Sequence, residues 1–156
     1  MKKLAFALLL TTSIVAPGLA LARPATIAIQ MAPYQGPGAY LAIYVVGPDG
    51  KYQSTLWVAG EKPKYQRHLR GWSRAYSTSG GSIDAITGAS VGSGRTLRID
   101  VDLADALIDA GYEIRVDSAV EDGSDYSGDA VAPLRSGGSG TTVRGTGYVA
   151  TFAVKM

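Results

Sequence analysis

Apolar and polar positions alternate with a period of two along much of the chain from Ala25 onward. In Leu97–Leu103 (LRIDVDL) every second residue is charged, and Tyr112–Val120 (YEIRVDSAV) repeats the pattern. Successive side chains of a strand point to opposite faces, so both segments predict half-buried strands. Ala25–Met31 (ATIAIQM), Ala39–Val46 (AYLAIYVV), Lys51–Val58 (KYQSTLWV) and Tyr148–Lys155 (YVATFAVK) are apolar or alternating, and rich in β-branched and aromatic residues. They predict four more strands. Gly47-Pro48-Asp49-Gly50 supplies the turn that makes the second and third of these a hairpin.

Two kinds of segment break the rhythm. In Glu61–Tyr76, Tyr65, Leu69 and Trp72 recur at spacings of four and three, which predicts one short helical segment presenting them together. Pro63 near its start and Gly71 inside it keep that segment short. Ser77–Gly94 and Glu121–Gly147 are dominated by small and polar residues and predict loops, and Ala104–Gly111 is too short for a long helix. The expected architecture is therefore all-β: an immunoglobulin-like β-sandwich of about seven strands with one short helical segment.

The first 22 residues stand apart. Lys2 and Lys3 precede an apolar run from Leu4 through Val15, Pro17-Gly18 breaks it, and Ala20-Leu21-Ala22 presents small residues at a cleavage position. This is the pattern of a secretory signal peptide over residues 1–22, with the periplasm as destination. The run is too short to cross a hydrocarbon core of roughly 30 Å. A single domain, residues 23–156, is expected to remain.

Composition then removes whole classes of chemistry. There is no cysteine, so neither disulfides nor thiolate metal sites are available, and one histidine, His68, cannot build a multi-histidine centre. His68 lies among Lys64, Arg67 and Arg70 with no acid close in sequence, which reads as a surface histidine and not as half of a hydrolase dyad. No metal ligand set and no catalytic residue is assigned. Asp122-Gly123-Ser124-Asp125-Tyr126-Ser127-Gly128-Asp129 offers oxygen ligands but lacks the EF-hand spacing and its terminal Glu, so it reads as a solvated loop.

Charge is unevenly spread. Eight basic residues lie between Lys51 and Arg98 against Glu61 and Asp84, whereas ten acidic residues lie between Asp100 and Asp129 against Arg115 alone. Once Lys2 and Lys3 leave with the leader, the domain is near neutral but dipolar. That balance does not favour nucleic acid as a partner.

The informative stretch is Asp84-Ala85-Ile86-Thr87-Gly88-Ala89-Ser90. It resembles the acceptor motif D-x-x-[S/T]-G-A-[T/S] of proteins that carry covalent FMN. In those proteins a periplasmic FAD:protein FMN transferase splits FAD and joins the FMN phosphate to the hydroxyl of the last residue. The resemblance implies attachment at Ser90, where most acceptors have threonine. Gly88 and Ala89 add no bulk beside the acceptor, and Asp84 and Thr87 can hydrogen-bond the local turn.

Lys62-Pro63-Lys64-Tyr65-x-x-x-Leu69-Arg70-x-Trp72, followed by that motif, is similar to the pattern of a family of predicted periplasmic proteins known as domain of unknown function 2271. Gly111-Tyr112-Glu113-Ile114-Arg115-Val116 matches a further element of the family imperfectly, and its W-D-G-x-D-x-x-G stretch is degraded here to Asp100–Asp105. The resemblance implies membrane-linked electron transfer outside the cytoplasm, with a PepSY-type membrane reductase as partner. Tyr65 and Trp72 fit a stacking role against an isoalloxazine ring, and Lys64, Arg67, Arg70 or Arg74 fit the offset of phosphate charge. Tyr65, Leu69 and Trp72 also fit a core-capping role, and for Leu69 and Trp72 packing is the favoured one, because apolar stripes at helical spacing usually face a core. The expectation is a non-catalytic electron carrier; the alternative is a non-redox immunoglobulin-like binding or adaptor domain that works with a membrane partner.

Overall fold

The computed structural model describes residues 21–80, 86–137 and 140–156. Most of the expected leader, and Asp84 of the acceptor-like motif, lie outside the described residues. Among the described residues no helix is long and apolar enough to cross a membrane.

Among the described residues nine strands form two sheets: β1 (Ala22–Met31), β2 (Tyr40–Val46), β3 (Tyr52–Ala59), β4 (Ile86–Gly88), β5 (Thr96–Ala104), β6 (Glu113–Ala119), β7 (Asp125–Pro133), β8 (Thr141–Arg144) and β9 (Val149–Lys155). One sheet has the order β5-β1-β9-β8 and the other β4-β3-β2-β6-β7. All pairings are antiparallel except β3 with β4. The chain is an all-β sandwich, with β4, β7 and β8 found inside the two stretches that composition marks as loops. Among the described residues the α-helices are the single turn α1 (Pro63–Gln66) and the ten-residue α2 (Arg70–Ser79), with one 3-10 turn at Asp105–Leu107.

Between the sheets the alternating strands deliver their apolar sets to one core. Ala25, Ile27, Ile29 and Met31 of β1 meet Leu41, Ile43 and Val45 of β2, Ile114 and Val116 of β6, and Phe152 and Val154 of β9. β2 is buried along its whole length, which explains why its sequence runs apolar and does not alternate. Its other face, Tyr40, Ala42, Tyr44 and Val46, forms a second cluster with Val58, Leu69, Trp72 and Ala119. α2 lies over this outer face of the five-stranded sheet, across β3, β6 and β7.

The helical stripe thus splits in two but keeps one target. Tyr65 on α1 packs at the edge of the same cluster that buries Leu69 and Trp72. No side chain of its own caps α2. Its free N–H groups are met from the sheet: Gly71 N–H donates to Ser127 Oγ at 3.0 Å and Trp72 N–H to Asp117 Oδ2 at 2.7 Å. Gly80, with φ of 66°, ends the helix in the left-handed conformation that glycine adopts without strain.

The acidic stretch 122–129 is a solvated turn only over its first three residues, 122–124. Asp125 begins β7, and Asp129 is 1 % exposed. Asp129 accepts N–H groups from Thr146, Gly147 and Val149 and the Ser118 hydroxyl, so its carboxylate is the knot between β7 and the segment entering β9. Composition misleads here because Asp, Ser and Gly are read as turn formers, whereas paired polar groups are tolerated inside.

Candidate functional site

The acceptor-like segment forms the free margin of the five-stranded sheet. β4 runs parallel to the end of β3, with Trp57 opposite Ile86, Val58 opposite Thr87 and Ala59 opposite Gly88. Gly88 rests on the Trp57 ring: a Cβ on Gly88 would stand 2.7 Å from Cζ2 of the indole. Only glycine allows that approach, so the glycine of the motif is required by a residue 31 positions earlier. The position of Trp57 follows from a register shift in β3, where Ile43 pairs with Trp57 but Tyr44 pairs with Thr55. The extra residue lets Leu56 and Trp57 both pack on the inter-sheet core.

Two pins hold the segment. The Gly88 carbonyl accepts the Gly60 N–H at 2.8 Å. Val91 then pairs with Ala39 in both directions, N–H to carbonyl at 2.9 and 2.7 Å, and its carbonyl also accepts the Tyr34 hydroxyl at 2.7 Å. Burial raises the Tyr34 hydroxyl above its ordinary pKa, partly opposed by the Ala39 N–H that it accepts, and the group serves as a donor in this bond. Between the pins, Ala89 and Ser90 form a short exposed arch. The Ser90 side chain lies against Gly38, where a Cβ would come within 2.5 Å of its Oγ.

Gly60 ties the arch to the basic, aromatic segment. Its carbonyl accepts Nε2 of Gln66 in α1 at 2.9 Å, and the Tyr40 ring lies directly over its Cα, where a Cβ would collide at 2.1 Å. Tyr40 in turn packs on Tyr65, ring centroids 5.5 Å apart. Lys64 and Lys62 place their ammonium groups 4.5 and 5.7 Å from the Tyr65 ring. Beside them Tyr40, Tyr65, His68 and Glu121 line a recess of about 110 Å³. Burial pushes the Glu121 carboxyl up, but its hydrogen bonds with Tyr65, Lys62 and Tyr40 outweigh this and hold it below the usual value. Burial, with the Glu121 charge next, raises the Tyr40 hydroxyl.

The fold brings some of the expected residues together and separates others. Thr87, Gly88, Ala89 and Ser90 lie at one end of the five-stranded sheet, and Tyr65 is joined to them through Gly60 and Tyr40. Trp72 is elsewhere. It is 3 % exposed, stacked on Tyr76 at 5.5 Å, and donates its indole N–H to Thr55 Oγ1 at 2.8 Å. In this structure its ring is a packing element of the outer cluster. His68, which has no acid near it in sequence, meets Asp125 at 3.2 Å, and Asp125 also holds Arg70 at 2.9 Å.

Sequence reading missed Tyr34, Gly38, Trp57 and Gly60. None carries a local signal, because each is defined by what lies across the fold from it. The Trp57 indole N–H is buried without a partner, so its contribution here is the ring and not the donor. A second recess, about 490 Å³, runs along α2 between Lys51, Tyr52, Arg74 and Arg115. It lies on the same helical, basic face of the molecule.

No curated protein and no solved structure matches the chain. One family model does, over residues 22–151, from the first residue of β1 into β9. The span takes in both sheets, α1, α2 and the pinned arch, and on it the chain belongs to the DUF2271 family of predicted periplasmic proteins.

Proposed function

We propose that this protein is an extracytoplasmic electron carrier to which FMN is joined through a phosphoester on Ser90. The observation that carries the reading is the pinned arch: an exposed hydroxyl at the end of a D-x-x-T-G-A-S sequence, on a short span fastened at both ends. An acceptor for group transfer needs a hydroxyl that reaches solvent and a backbone that does not wander, since orientation accounts for much of such a barrier. In the transfer, Ser90 Oγ forms a bond to the phosphorus on the riboflavin side of FAD. The pyrophosphate P–O bond breaks, AMP leaves, and the hydroxyl proton passes to a base of the transferase. Ser90 is in this sense a substrate, and no nucleophile–base pair is required of this chain.

Once attached, FMN supplies one- and two-electron redox chemistry, while the protein sets its orientation and electrostatics. The Tyr40–Tyr65 recess is far smaller than the roughly 300–1,000 Å³ of sites that enclose a ligand of that size. An attached ring would therefore be carried on the outside of this end of the sandwich, where the half-buried Tyr65 of α1 would offer an aromatic face and Lys62 and Lys64 would offset negative charge. An outward ring suits exchange with a membrane reductase and an exported acceptor.

Coexpression with a flavin transferase tests this. Intact mass should rise by one FMN, and the denatured protein should keep flavin fluorescence on a gel. Ser90→Ala should abolish the label and Ser90→Thr should keep it. Asp84→Ala should slow transfer without unfolding the domain, and Tyr65→Ala should leave the label but alter flavin fluorescence. Wild-type protein that stays at its unmodified mass overturns the reading and leaves the adaptor alternative, with the basic α1–α2 face as its docking surface.

A further inference from the structure

We infer that Gly38 is a positioning residue that sets the direction of the Ser90 hydroxyl, an inference that rests on the attachment proposed above. An ideal Cβ on Gly38 would stand 2.5 Å from Ser90 Oγ, 3.0 Å from its Cβ and 3.3 Å from its carbonyl carbon. Gly38 is not among the residues of positive φ, so its backbone is one that any L-residue adopts. Glycine is required here for space alone. The bare Cα of Gly38 is the floor on which the acceptor side chain lies.

The arch cannot step back from a larger residue. Gly88 is held by the Gly60 N–H, and Val91 by Ala39 and Tyr34, on both sides of the exposed pair. Ala39, the residue after Gly38, is itself one of the pins. Floor and arch are therefore fixed relative to one another, and a methyl group at position 38 has one cheap outlet. It drives the Ser90 hydroxyl out of its rotamer and presses on Cβ, which re-aims the nucleophile while the rest of the surface stays as it was. In reactions that depend on near-attack geometry, a misplacement of about 1 Å costs on the order of 10²-fold in rate.

The test uses the full folded domain, purified flavin transferase and FAD, comparing wild type, Gly38→Ala and Gly137→Ala. Gly137 has no neighbour within 4 Å of an added Cβ and no positive φ, and so controls for the change of residue type. Gly38→Ala should lower kcat for transfer by about 10- to 100-fold with little change in KM for the carrier, as expected when the docking surface is intact. Its thermal unfolding should match wild type, and the NMR shift of Ser90 Cβ should move in the unlabelled protein. Gly137→Ala should behave as wild type throughout. Equal kcat for Gly38→Ala and wild type overturns the role of Gly38 and leaves attachment standing. Failure of Gly38→Ala to fold assigns Gly38 to packing and also overturns it. Wild type that takes no label removes both proposals.

Discussion

Asp117, on the inner strand β6, and Ser90, just beyond the edge strand β4, both belong to the five-stranded sheet and its border, yet the structure uses them in opposite ways. Each is a polar residue where a connecting segment is hydrogen-bonded onto strands. Asp117 is fully buried, and its carboxylate accepts the Tyr44 hydroxyl at 3.0 Å, the Gly128 N–H at 2.8 Å and the Trp72 N–H at 2.7 Å. Its acceptor capacity is spent on holding α2 and β7 in place. Ser90 is exposed, while the bonds that fix its segment are made by the backbones of Gly88 and Val91. A buried polar group with all its partners is structural, because any change leaves desolvated groups unpaired. A polar side chain carried on a segment that others hold is free to be chemically changed. The contrast separates what stabilises this protein from what it presents.

The strongest way to break the comparison is Asp117→Ala. It leaves two backbone donors and the Tyr44 hydroxyl without an acceptor, and should cost about 3–5 kcal/mol in urea unfolding, the range for breaking a buried charged network. A loss below about 1 kcal/mol would show that water replaces the carboxylate. Gly71→Ala comes next. Alanine is favoured over glycine in a helix by about 1 kcal/mol, but a Cβ here meets Asp117 Oδ2 at 2.8 Å and the Tyr44 hydroxyl at 2.9 Å. Overpacking of this kind costs about 1–3 kcal/mol, so the variant should be less stable, not more.

The same junction should show itself in alkali. Burial, with the Asp117 charge next, raises the Tyr44 hydroxyl well above its ordinary value. The folded state then keeps a proton that the unfolded chain releases at about pH 10. Its contribution is intact below that pH and declines as pH climbs toward the folded value, so stability should fall from about pH 10 upward. Tyr44→Phe should flatten that part of a pH–stability curve. The smallest effect belongs to the arch: Ser90→Ala should leave urea unfolding within about 0.5 kcal/mol of wild type, as for other exposed substitutions. A larger loss would mean that the hydroxyl is structural after all.

Much of the architecture was legible from residue order. The six strands predicted from alternation or apolar runs are all present, shifted by a few residues at most. β4, β7 and β8 were not; in β7, Asp125-Tyr126-Ser127-Gly128-Asp129 carries turn formers on a strand whose polar groups find partners only in the fold. Of the site, Ser90 and its small neighbours were legible as a motif. The partners that shape it, Tyr34, Gly38, Trp57 and Gly60, were not, because their contacts with 88–91 cross 28 to 57 positions of chain. Trp72 and Tyr65 looked equivalent by spacing, and only packing separated the buried ring from the half-exposed one.

By itself the sequence determined the class of fold, the expected leader, the exclusion of thiolate chemistry and the place of one candidate hydroxyl. These depend on periodicity and composition, which are local quantities. The tertiary structure decided which polar residues are spent inside and which are offered outside. It put Asp117 under a helix it does not adjoin in sequence, and it laid Ser90 on the bare backbone of Gly38. Burial and hydrogen-bond partnership are properties of pairs brought together by folding, and no single residue carries them along the chain.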